Sequence, residues 1–237
     1  MHPRNGVAVT VVSRVDHLVV AADSLAQGMA WCEDTLFVTP RAGGEHPLMG
    51  THNAVLRIST PAFARAYLEI IAINPAAADP RRRRWFDLDD PALRERVRRQ
   101  PRLVHFVADC VPAIAGSRAL DSLGIDRGPL LAAQRETAGG LLQWKITVRE
   151  DGQRLFYGAL PTLIEWGATH PSASMPASGV TLRGLTLRGL PPAAAQALGL
   201  APGQAPRPAG LELAAEAGPA LCATLDTPRG RVTLCSD

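Results

Sequence analysis

Two hydrophobic rhythms alternate along the chain. The stretch "VDHLVVAA" at 15–22 is almost continuously apolar, which predicts a strand over about 14–21 with cover on both faces. Asp23 or Ser24 then offers a cap for a helix through "LAQGMAWCEDTL". "TPRAGGEHPLMG" breaks both rhythms and predicts a loop. "THNAVLRIS" at 51–59 alternates, with Asn53, Val55 and Arg57 on one face and His52, Ala54, Leu56 and Ile58 on the other. "AYLEIIAIN" at 66–74 predicts another strand.

The same order then returns. "RLVHFVAD" at 102–109 predicts a strand, and "VPAIAGSRALDSLG" a helix. "LLAAQRETAGG" and "LQWKITVRE" form a hairpin about Gly139-Gly140, and "LPTLIEWG" at 160–167 closes the second copy. Between the copies, 77–101 is a charged connector with a helix after Asp89 or Asp90 and Pro91 in its first turn. From 179 a third pattern of strand, helix and strands follows, read as a βαββ extension serving as scaffold or dimer surface. The domain expectation is 14–76, 77–101, 102–175 and 179–237.

Composition narrows the class. With 237 residues, 46% hydrophobic and 20% charged, the chain is of ordinary globular composition and long enough to bury a sizeable core. A net charge of +3 is too small to argue for nucleic acid or a membrane surface, and neither is expected as a partner. Arg81 to Arg84 is the one basic run, and the acidic residues behind it mark it as a solvated linker. Arginine supplies nearly all the positive charge; with high Ala, Gly and Pro this points to a GC-rich bacterial genome. Cys32, Cys110, Cys222 and Cys235 form no Cys-x-x-Cys, and a chain of this length needs no disulfide staple, so a reducing cytoplasm is expected. No secretory signal or membrane span is expected.

Candidate chemistry sits at matched places in the two copies. Each has a histidine in its first strand, His17 and His105, and a glutamate in its last, Glu69 and Glu165. A lone histidine in an apolar strand is commonly a satisfied core residue, but a buried carboxylate needs a partner. Two imidazoles and two carboxylates are ligand types for a six-coordinate divalent metal, and the pairing in both copies points to one site. His46, His52 and Asn53 lie in or beside a glycine-rich stretch and are candidates to orient a substrate, with Trp85 as a cavity roof. Trp144 and Trp166 read as core, His170 as a surface turn with a place at the cavity mouth as the alternative, and Asp23 and Asp109 as helix caps.

With "DHLVVAA" opening and "YLEIIAINP" closing the first copy, and with "GGEHPLMGTHN", "RRRWFDLDDP" and "LPTLIEWGATHP", the chain resembles the vicinal oxygen chelate superfamily, and within it the glyoxalase-like domain group. The resemblance covers roughly 14–175. It implies an α+β fold in which two βαβββ modules build a curved mixed sheet around a cavity. It implies metal ligands from the first and last strands, here His17, Glu69, His105 and Glu165, holding Zn, Ni, Mn, Fe or Co. The activity implied is a lyase or isomerase acting on a small oxygenated carbonyl metabolite by proton abstraction, with Glu165 or Glu69 as base. A homodimer is compatible with such a cavity. The alternative is a metal-free protein of the same fold that binds or sequesters a small molecule.

Overall fold

The computed structural model describes residues 11–137, 140–204 and 208–236. The first copy comprises β1 (Val12–Ala21), α1 (Leu25–Leu36), β2 (Arg41–His46), β3 (Thr51–Arg57) and β4 (Tyr67–Ile73). The connector carries α2 (Pro91–Arg99). The second copy comprises β5 (Arg102–Val111), α3 (Ala113–Asp121), β6 (Leu130–Thr137), β7 (Gly140–Thr147) and β8 (Thr162–Trp166). The last unit runs β9 (Thr181–Arg188), α4 (Pro192–Ala197), β10 (Leu211–Ala214), β11 (Leu221–Thr227) and β12 (Gly230–Cys235), one strand more than the expected βαββ.

The two copies share one curled eight-stranded sheet in the order β2-β3-β4-β1-β5-β8-β7-β6. Within each copy the first and last strands pair in parallel, β1 with β4 and β5 with β8. The antiparallel β1–β5 pair joins them. A separate four-stranded sheet, β10-β9-β11-β12, forms the last unit.

The alternation of β1, β4 and β5 divides two cores. On the convex side Leu18, Val20, Leu68, Ile70 and Phe106 pack under α1 and α3 and merge with Leu182, Leu185, Leu221 and Leu225 of the last unit. Ser24 caps α1 by accepting from the Gln27 amide at 3.2 Å. Gly28 lets α1 close on the sheet, since a Cβ there would lie 2.4 Å from Ile70 Cγ2. On the concave side Val19, Ala21, Ile71 and Val107 pack against Phe86, Leu88, Leu93 and Val97.

That second core corrects the linker expectation. The connector is wedged into the concave face, where Phe86, Leu88, Leu93 and Val97 are each below 5% exposed. Each such burial is worth roughly 1.5–3 kcal/mol, which holds the segment down. Within the arginine run Arg81 and Arg83 stay exposed, whereas Arg84 is half-buried and bridges Asp79 at 2.9 Å and Asp89 at 2.7 Å.

Other expectations are corrected in detail. The segment predicted as a glycine-rich loop contains β2, an edge strand paired to β3 with a register shift between Ala42 and Glu45. Backbone pairing there outweighs the weak strand preference of glycine. The β6–β7 hairpin forms with Thr137 opposite Gly140, while Gly139 lies outside the described residues. Cys222 and Cys235 face each other across β11 and β12 and form a disulfide, contrary to the expectation of none. Cys32 and Cys110 are free and buried. Among the described residues no helix is long and apolar enough to cross a membrane.

Candidate functional site

The floor of the concave face is built by β1 and β4. His17 and Glu69 both point there, with His17 Nε2 at 3.5 Å from a Glu69 carboxylate oxygen. Tyr67 stacks on the His17 ring, with centroids 4.6 Å apart. His17 Nδ1 contacts Asp16 Oδ1 at 2.6 Å. Adjacent residues on a regular strand point to opposite faces. A register shift between Val15 and His17 places a bulge at Asp16, and the bulge turns its carboxylate toward its own neighbour.

Asp16 gathers further donors. Trp166 Nε1 donates to its Oδ2 at 2.9 Å, and His170 Nε2 lies 2.8 Å from the same oxygen. His170 Nδ1 accepts from the Ser172 amide at 3.1 Å, so Nε2 carries the proton that it gives to Asp16. His170 is buried, not in a surface turn, because it closes this network. On the other side, Asn53 Nδ2 donates to Glu69 Oε1 at 2.5 Å. Asn53 Oδ1 accepts from the Gly44 amide at 2.7 Å. A Cβ on Gly43 would lie 2.0 Å from that oxygen, so the glycines of β2 admit Asn53 rather than a ligand. His46 Nε2 is 3.9 Å from Glu69, and its Nδ1 contacts Thr51 Oγ1 at 3.0 Å.

Burial and pairing set the charges. Burial alone opposes a charged His17, but the Asp16 and Glu69 carboxylates raise its pKa from 6.5 to about 9. Burial likewise opposes the Glu69 carboxylate, and His17 outweighs it, bringing the pKa to about 2. His17 and His170 hold Asp16 well below the carboxylate range despite its burial. His46 is pushed down to about 4 by burial and stays neutral. The floor is therefore a carboxylate, imidazolium, carboxylate series at neutral pH.

Above it lies a chamber of about 50 Å³ bounded by His17, His46, Glu69, Trp85, Arg135 and Trp166. It adjoins a larger cavity of about 620 Å³, lined by Met49, Trp85, Leu131, Arg135, Trp144 and Met175 among others. A mostly apolar cleft with a few convergent polar groups is the usual form of a small-molecule site.

A glyoxalase-like domain model matches residues 15–201. The chain belongs to the glyoxalase-like domain family. No curated protein matches it. A solved structure of a hypothetical protein from Staphylococcus aureus superposes with a TM-score of 0.50 at 11% identity, over 95% of this chain and 86% of that one. Methylmalonyl-CoA epimerase from Streptomyces coelicolor, in complex with 2-nitronate-propionyl-CoA, gives a TM-score of 0.40 at 15% identity, over 65% of this chain and 98% of its own. The epimerase from Mycobacterium tuberculosis gives 0.37 at 16%, over 73% and 100%. At these identities the likeness is one of fold.

Against the glyoxalase-like pattern, the four expected ligands do not converge. His105 faces the concave side opposite Val19, but its Nε2 accepts from the Thr162 amide at 3.1 Å and its ring lies 5.0 Å from Phe86. Burial, with Arg127 nearby, holds its pKa well below 6.5. Glu165 points to the convex face, where it accepts from the Ala113 amide at 2.8 Å and caps α3 in place of Asp109. Lys145 lies 3.6 Å from it. The concave position at the end of β8 belongs to Trp166, one residue on; a step of one along a strand reverses the face. Among the described residues no three of His, Cys, Asp or Glu are grouped to hold a metal ion. The residues present do not fit the octahedral centre expected from the family, and no step below is routed through one.

Of the substrate-orienting candidates, His46, Asn53 and Trp85 border the inner chamber. His52 pairs with Ala72 on the opposite face of β3, as the alternation predicts. Sequence reading missed Asp16, Tyr67, Arg135 and the roles of Trp166 and His170. An acidic residue inside the apolar run 15–22 was the one available signal.

Proposed function

We propose that this glyoxalase-like protein takes a small oxygenated carbonyl compound into the concave cavity and transfers a proton beside its carbonyl group. The observation that carries this reading is the facing of Glu69 and His17 Nε2, 3.5 Å apart, at the floor of the inner chamber that adjoins the larger, mostly apolar cavity. A carbonyl oxygen seated above the His17 edge accepts the Nε2 proton in a hydrogen bond, with the neighbouring C–H turned toward Glu69. The carbonyl then acidifies its neighbouring C–H, and Glu69 takes that proton. The charge of the resulting enolate rests against an imidazolium that Asp16 keeps protonated. Return of the proton to the same or a neighbouring carbon completes an epimerisation or isomerisation. Asp16, His170 and Trp166 act through His17 as positioning residues; Trp85 and Trp144 exclude water.

The test is hydrogen–deuterium exchange. Small aldehydes, ketones and 2-hydroxy ketones are incubated with the protein in D2O, and NMR follows label at the carbon beside the carbonyl. Exchange above buffer, lost in Glu69→Gln, is expected. A panel without exchange above buffer refutes the enzyme reading.

A binding protein of the same fold is the second reading. The low basicity of Glu69, held at about 2 by His17, favours recognition over catalysis. Saturable quenching of Trp85 and Trp144 fluorescence by a panel member, without exchange, selects it.

A further inference from the structure

The second copy holds a buried cation that the proposed chemistry does not use. Arg127 is 3% exposed. Its Nη2 donates to Thr162 Oγ1 at 2.6 Å, while Nε and Nη1 have no hydrogen-bond partner among the described residues. No carboxylate is within ion-pair distance of its guanidinium among the described residues. The carboxylates nearby are engaged elsewhere: Asp151 and Asp126 pair with Arg149 at 2.5 Å and 3.8 Å, and Asp87 pairs with Arg154 at 2.8 Å. His105, on the other side of Thr162, is neutral and offers no negative charge.

Next to this guanidinium is a cavity of about 10 Å³ bounded by Trp85, Phe86, His105, Arg127, Thr147 and Thr162. That is the room in which the centre of a water-sized particle can move, which admits a single particle of water or chloride size. A buried charge is costly unless paired, and buried polar atoms are nearly always satisfied. A neutral water answers a donor but not the charge. A carboxylate or phosphate is too large for the space.

We infer that the free Nε–H and Nη1–H donors of Arg127, whose guanidinium Thr162 holds in place, form a binding site for a small monatomic anion of chloride size, separate from the His17–Glu69 floor and walled from it by Trp85 and Phe86. Burial brings the Arg127 pKa down to about 10, still charged at neutral pH and in need of a counter-charge.

The experiment compares thermal unfolding in sodium chloride and sodium gluconate at equal ionic strength, since gluconate cannot enter so small a space. For the unaltered chain the midpoint rises with chloride, logarithmically above the dissociation constant, by roughly 3–6 °C at ten times that constant. Arg127→Met removes the charge and the chloride dependence together; Arg127→Lys keeps a charge with fewer donors and moves the onset of the rise to higher chloride. A crystal soaked in sodium bromide shows an anomalous peak in contact with Arg127. Equal midpoints in the two salts, an unchanged chloride response in Arg127→Met, or a water with no anomalous signal at this position each overturn the assignment. If a variant does not fold, the bromide crystal of the unaltered chain decides alone.

Discussion

Asp16→Asn separates the charge of the buried network from its shape. The substitution keeps the volume and removes the carboxylate that contacts His17 Nδ1 at 2.6 Å. In the native protein the His17 pKa stands at about 9 against 6.5 for the free ring. At about 1.4 kcal/mol per pH unit, that difference contributes roughly 3 kcal/mol of stability. The sign follows from the raised value. The contribution is fully present below pH 6.5, declines as pH rises toward about 9, and is absent above. Without Asp16, burial opposes the charged ring and only Glu69 supports it, so the His17 pKa falls to 6.5 or lower. Urea unfolding at pH 6, 8 and 10 reads the effect. The stability gap between native and variant is expected to be about 3 kcal/mol larger at pH 6 than at pH 10. A pH-independent loss of hydrogen bonds to His170 and Trp166 adds to it. Histidine ring NMR follows His17 directly. A gap that stays constant across this range, or a His17 that still titrates near 9 in the variant, refutes the reasoning.

Three further outcomes are expected. Glu69→Gln lowers the deuterium-exchange rate about 10²–10⁴-fold while the saturable quenching of tryptophan fluorescence persists, because the amide keeps the shape but takes no proton. Leu93→Ala, in the connector helix, costs about 2–5 kcal/mol in urea unfolding; a loss below 0.5 kcal/mol is the result for a solvated linker. Reducing the Cys222–Cys235 bond, or Cys222→Ser with Cys235→Ser, lowers stability by roughly 3 kcal/mol for the short loop it closes, measured by the same method.

The chain alone determined what depends on near neighbours. The apolar runs and their spacing marked β1, α1, β4, β5, α3 and the later strands, because a strand or helix answers to residues within a few positions. His17 and Glu69 were legible as a pair for the same reason: each is a titratable group inside an apolar run, and desolvation demands a partner wherever such a group is buried.

Tertiary structure decided which partner each group met. Asp16 joins His17 only because pairing of β1 with β5 leaves a bulge at Asp16, and a bulge is a property of two strands 90 positions apart. Glu165 lies one step from the concave face, and nothing local distinguishes the two registers of β8. The connector reads as charged and soluble along its length, yet its four apolar side chains reach a core supplied by other elements. Arg127 lies just before Gly128 in a polar stretch and is buried by β5, β8 and the Trp85–Phe86 wall. Hydrophobic patterning is a short-range code, whereas electrostatic pairing in a low-dielectric interior depends on distances that only the closed sheet sets.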